Sequence, residues 1–124
     1  MEIRILSHDY RMKMDATLLE RENRLGTCNM VNGEILIYED LKLSAMQEVI
    51  LHEILEAANF HHEYGLTHSK LSSMAASLLS ILKENPELAR WLINKKARKS
   101  AIVNRCMLVG IEEDMEVLIE EAEE

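Results

Sequence analysis

The sequence predicts an α+β domain, a short amino-terminal sheet with a hairpin packed on a central helix and the helices that follow it. Three observations carry this prediction. Apolar and polar residues alternate one by one near the amino terminus, an Asn-Gly pair separates two strand-like runs, and from Ser44 onward apolar residues recur at spacings of three and four. A chain of 124 residues is the size of one domain and can bury a core without disulfides or metal staples.

The elements follow in order. Ile3 and Ile5 alternate with Glu2 and Arg4, and Tyr10, Met12 and Met14 with Arg11 and Lys13, as in half-buried strands. Residues 15–25 read as either a short helix or a loop, since Leu18 and Leu19 supply too little periodicity. Thr27-Cys28-Asn29-Met30-Val31, Asn32-Gly33 and Glu34-Ile35-Leu36-Ile37-Tyr38 read as a hairpin, with Asn-Gly supplying the positive φ angles of a type I′ turn. Ser44 and Gln47 form an S-x-x-Q capping box that opens a helix reaching about His62 and closed by Gly65. A second helix opens near Thr67, with Leu71, Met74, Ala75, Leu78, Leu79 and Leu82 on one core-facing stripe that His68 extends. Asn85 and Pro86 end it and restart a shorter helix through Trp91. Ile111, Met115, Leu118, Ile119 and Ala122 suggest a last amphipathic helix.

Composition narrows the function classes. A net charge of −8 opposes a nucleic-acid surface, which needs a basic field, so proteins and peptides are the expected partners. The basic cluster Lys95, Lys96, Arg98 and Lys99 is offset by the acidic run 112–124 and reads as a solvated helix face. No apolar run approaches a membrane span and Met-Glu-Ile-Arg-Ile lacks the pattern of a signal peptide, so the expected location is cytoplasmic. Cys28 and Cys106 form no C-x-x-C pair and read as thiols, a bridge between them being the alternative.

The chemistry concentrates in HEILEAANFHHEYGLTH, residues 52–68. It opens like the H-E-x-x-H helix of zinc peptidases, in which two histidines hold zinc and the glutamate takes a proton from water. Here Glu56 stands at the second histidine's position. Residues four apart on a helix share a face, so His52 and Glu56 can clasp one ion. Glu53 lies about 100° round the helix, on the flank of Met46, Val49, Ile50 and Ala57. Poor solvation there raises its pKa toward that of a general base. A third ligand would leave one position open for water, and His68, in the first turn of a helix folded back by Gly65, is the candidate. His52, Glu56 and His68 make the usual inventory of two imidazoles and one carboxylate, which suits zinc and, less well, manganese or iron. His8, His61 and His62 read as surface or loop histidines, and the methionines as core filler.

The order of SHDYRMKMD, GTCNMVNGEILIYEDL and LHEILEAANFHHEYGLTHSKLSSMAASLLSILKENPEL resembles the small phage- and mobile-element-type metallopeptidases of the ImmA/IrrE family, over residues 1–92. The resemblance implies a minimal zincin-like fold; residues 93–124 lie outside it, and their charge blocks and final apolar stripe suggest a helical extension packed on the domain or used for docking. The resemblance also implies that His52 is the first zinc histidine and Glu53 the catalytic base. His68 would replace a carboxylate ligand of the following helix, so that a histidine is lost at Glu56 and regained. The implied activity is zinc-dependent hydrolysis of a peptide bond, often in a regulatory protein such as a transcriptional repressor. The strand Glu34 to Tyr38 would be the edge on which an extended substrate lies. Tyr64 and His8 are the candidates for stabilising an oxyanion. The alternative function is a non-catalytic interaction module that keeps the fold and binds a regulator, with a structural metal or none.

Overall fold

The computed structural model describes residues 1–94. The predicted helix carrying Ile111 to Ala122, the basic cluster from Lys95 and Cys106 lie outside the described residues. The described chain is α+β, a four-stranded mixed sheet with helices. No described helix is long and apolar enough to cross a membrane.

Strand β1 (Glu2–Ile5) pairs antiparallel with β2 (His8–Asp15), Ile5 opposite His8. Leu6 and Ser7 make the two-residue turn, with φ of 50° and 72°. Two positive φ angles are the mark of a type I′ turn, so that turn is built here without glycine, and the predicted one at Asn32-Gly33 is replaced by another loop. There only Gly33 has positive φ, and Asn29 Oδ1 accepts from the amides of Val31 (3.1 Å) and Asn32 (3.0 Å). This side-chain turn ends β3 (Gly26–Asn29) two residues before the predicted Val31.

The open segment 15–25 contains a short helix, α1 (Leu18–Glu22), pinned by the fully buried Leu18. Asp15 holds its start, accepting from Thr17 and from Arg21 at 2.7 Å. After it the chain returns along β3 and β4 (Glu34–Tyr38). β4 inserts between β2, to which it is parallel, and β3, to which it is antiparallel, giving the order β1-β2-β4-β3. The predicted hairpin therefore forms, with β4 inside the sheet and β3 at its edge.

Helix α2 (Leu43–His62) covers one face of this sheet. Ile5, Tyr10, Met12, Ile35 and Ile37 meet Ala57 in the core, flanked by Met46, Val49, Ile50 and Ile54. The alternation holds for Tyr10 and Met12 but fades at the strand end, where Met14 is exposed. Lys42, in extended conformation and without a side-chain cap, starts the helix in place of the predicted Ser44 box. Glu63, at φ 51°, ends it in place of Gly65. Helix α3 (His68–Glu84) is capped by Thr67, whose Oγ1 accepts from the Lys70 amide at 3.2 Å. Leu71 and Ala75 of its stripe are buried, Leu79 and Leu82 half-buried, and Met74 and Leu78 exposed, so the stripe is fully core only at its start.

The chain divides into two compact units, Met1–Ile81 and Leu82–Glu124. Within the second, α4 (Pro86–Ile93) begins with Pro86 in its first turn, where the missing N–H costs nothing.

Candidate metal centre

The middle of α2 buries two polar residues against the sheet, His52 and Glu53. Glu56, one turn after His52, brings its Oε1 to 3.3 Å from His52 Nε2. The third residue arrives from α3 through a clamped connection. Asn59 of α2 accepts from the Leu66 amide at 2.9 Å and donates its own amide to the Leu66 carbonyl at 3.2 Å. With Glu63 and Gly65 both at positive φ, this folds the chain back over the second half of α2. His68 then places Nδ1 3.2 Å from the same Glu56 Oε1, and its ring meets that of His52 edge-on at 4.6 Å.

His52, Glu56 and His68, the three residues expected from the sequence, thus come together with ligand atoms all within 4.8 Å of one another, a cluster that could hold a metal ion. One expectation changes. His68 does not face inward; its side chain is 79% exposed and meets the cluster along one edge of its ring, so the site sits at a rim open to solvent.

The donor geometry tests whether an ion fits. Four donors at tetrahedral corners about 2.0–2.1 Å from an ion stand about 3.3–3.4 Å apart. The two separations to Glu56 Oε1 match that spacing. His52 Nε2 is also buried without any hydrogen-bond partner among the described residues, although Glu56 lies beside it. A buried nitrogen left so is costly unless something else takes its lone pair. The residues present could hold a metal ion.

Glu53 stands beside the cluster, not in it. Burial first and the Glu56 charge second push its carboxyl up to about 7, with His68 and Arg24 pulling the other way. Strand β3 presses against it. A Cβ on Gly26 would lie 2.6 Å from Val49 Cγ1 and 3.0 Å from Glu53 Oε1, so only glycine lets the strand pass so near α2. Two residues on, Cys28 is a free thiol pushed up to about 12 by burial and by Glu53 and Glu56, and so gives the wall a neutral group. His52 is held below the ordinary histidine range, mainly by burial and then by His68, with Glu56 pulling the other way.

These residues line one cavity of about 860 Å³. Its other wall is the α1–β3 connection, where Arg24 is the only lysine or arginine of the lining among the described residues. Arg24 is exposed and makes no ion pair or hydrogen bond among the described residues, while its charge is felt at Glu53. The sequence does not point to Arg24, because 15–25 shows no period from which to orient a side chain. The expected Tyr64 and His8 do not line the cavity. Tyr64 bonds to His62 Nδ1 at 3.1 Å, and His8 stacks on His61 with ring centres 3.6 Å apart.

Comparison with known protein families, with curated proteins and with solved structures gives no match to the chain.

Proposed function

We propose that the chain is a zinc-dependent peptidase in which His52, Glu56 and His68 hold the ion and Glu53 is the general base. The observation that carries this reading is the pair of 3.3 and 3.2 Å donor separations around Glu56 Oε1 beside the buried carboxylate of Glu53, which burial pushes up to about 7. The spacing suits a tetrahedral ion with two imidazoles and one carboxylate, and the same ligand set takes manganese or iron as poorer substitutes. When bound, zinc polarises a carbonyl and makes water acidic enough to attack at neutral pH. The resemblance of residues 1–92 to the ImmA/IrrE metallopeptidases points to the same activity, with a zincin-like fold and a regulatory protein as substrate.

The chain's own groups then divide the work. Glu53 accepts the proton of the attacking water and passes it to the leaving amine, roles suited to a carboxyl near pH 7. Arg24, free on the opposite wall, receives the developing oxyanion or orients the substrate carbonyl. The substrate lies along β3 rather than β4, because β4 is enclosed between two strands. The Tyr38 amide bonds the Leu25 carbonyl at 2.8 Å, so in the antiparallel alternation Thr27 and Asn29 also turn toward β4. Gly26 and Cys28 therefore turn their backbone N–H and C=O to the free edge beside the cavity, ready to pair with an extended peptide.

The test is zinc content by elemental analysis of protein purified without chelator, together with cleavage of a proteome-derived peptide library read by mass spectrometry. One zinc per chain and cleavage lost in Glu53→Gln are expected. Zinc without cleavage would favour the interaction module with a structural ion, and absence of zinc would overturn the reading.

A further inference from the structure

Helix α3 brings a second polar residue to the cluster. Ser72 is four residues beyond His68, so both project from the same face one turn apart. Its Oγ lies 3.3 Å from His52 Nδ1, and it lines the same cavity. A serine inside a helix commonly bonds its hydroxyl back to the carbonyl four residues earlier. Among the described residues Ser72 makes its hydrogen bond across to α2 instead. Buried Leu71 and the buried Ala75 one turn later hold that stretch of α3 in place.

The two nitrogens of His52 are thereby in opposite states. Nδ1 has a hydrogen-bond partner, Ser72; Nε2, buried and directed at the cluster, makes no hydrogen bond among the described residues and has only Glu56 Oε1 beside it, at 3.3 Å. An imidazole that offers the Nε2 lone pair to an ion must carry its proton on Nδ1, and that N–H needs an acceptor. We propose that Ser72 is the positioning residue of the metal centre, accepting the Nδ1 hydrogen of His52 so that the ring is fixed with its Nε2 lone pair toward the ion. This rests on the metal-centre reading above. α3 then supplies both a ligand, His68, and the group that orients the ligand on α2, so ion binding ties the start of α3 to the middle of α2.

The experiment is zinc affinity by competition with a chromophoric chelator, for the parent, Ser72→Ala and Ser72→Thr, with urea unfolding of each zinc-free protein beside it. Loss of such an outer partner costs about 10- to 100-fold in metal affinity. Ser72→Ala is expected to lose that much, with Ser72→Thr, which keeps the hydroxyl, close to the parent. Zinc-free unfolding of the alanine variant is expected to stay near the parent curve, which separates ring orientation from a packing role. Equal zinc affinity in the parent and Ser72→Ala overturns the assignment while leaving the metal centre intact. A parent that binds no zinc overturns both, and Ser72→Thr as weak as Ser72→Ala would show that shape rather than the hydroxyl matters, which also overturns it.

Discussion

Gly26 and Glu53 are in contact across the interface of β3 and α2, so close that a Cβ on Gly26 would stand 3.0 Å from the carboxylate and 2.6 Å from Val49 Cγ1. That contact makes the edge strand one wall of the site and the general-base candidate another. Val49 is β-branched and in a helix has essentially one comfortable rotamer, so it cannot swing aside cheaply. Gly26→Ala is therefore expected to lower stability by about 1–3 kcal/mol, the usual cost of overpacking. Urea unfolding of the zinc-free protein measures it, and an unchanged midpoint would mean that β3 is not pressed on α2.

Glu53 makes the zinc-free protein's stability depend on pH. Its carboxyl titrates near 7 in the fold against 4.5 for the free group, so between these values the folded chain binds the extra proton. A raised folded pKa contributes stability that is fully present below pH 4.5 and lost as pH rises through 7. A shift of that size corresponds to on the order of 3 kcal/mol. Glu53→Gln removes the titration while keeping the shape. It should match the parent near pH 4 and exceed it in stability by up to about that amount at pH 8, while retaining zinc and losing hydrolysis. Parallel stability curves for the two proteins from pH 4 to pH 8 would place Glu53 in solvent.

His68 separates metal binding from folding. Its side chain is largely exposed, and among the described residues its polar and ring contacts are to Glu56 and His52, so His68→Ala should leave zinc-free stability within about 0.5 kcal/mol of the parent. Zinc should nonetheless be lost, and with it the stabilisation that a saturating ligand gives, about 4 kcal/mol at a thousandfold excess over Kd. Thermal unfolding with zinc and with EDTA reads both: two well-separated transitions for the parent, a single one for the variant. A variant still stabilised by zinc would remove His68 from the ligand set.

Much of this site was legible because its parts are local. His52 and Glu56 share a helix face by spacing alone, and Thr67 followed by an apolar stripe places the start of α3 and so His68. The strand faces were legible for the same reason, from alternation at Tyr10 and Met12. What escaped depends on contacts distant in sequence. The parallel pairing of β2 with β4 leaves no mark in either strand, so the edge was assigned to β4 instead of β3. Gly26 shows its purpose only against Val49 and Glu53. The turn at Leu6-Ser7 carries no glycine, and the Asn29 side chain overrode the Asn-Gly signal by holding the amides of Val31 and Asn32. Ser72 could have been found, since it is one turn beyond His68.

Arg24 gives the last test, and its two effects point in opposite directions. As the cation of the cavity wall it favours the ionised form of Glu53, and as a free guanidinium it is available to charge developing on a substrate oxygen. Arg24→Gln should leave zinc content unchanged, because Arg24 is not among the clustered ligands. Removing the cation raises the pKa of Glu53, so the acidic limb of the pH profile should move upward. The base would then be stronger in its ionised form, a change that by itself would speed proton transfer. If Arg24 only tuned Glu53, activity at high pH would therefore be preserved or increased. If it receives the oxyanion, kcat should fall about 10²- to 10³-fold at every pH, with a smaller change in KM. A pH–rate profile of the variant on a cleaved library peptide decides between them, and full activity at pH 9 would remove Arg24 from the reacting atoms.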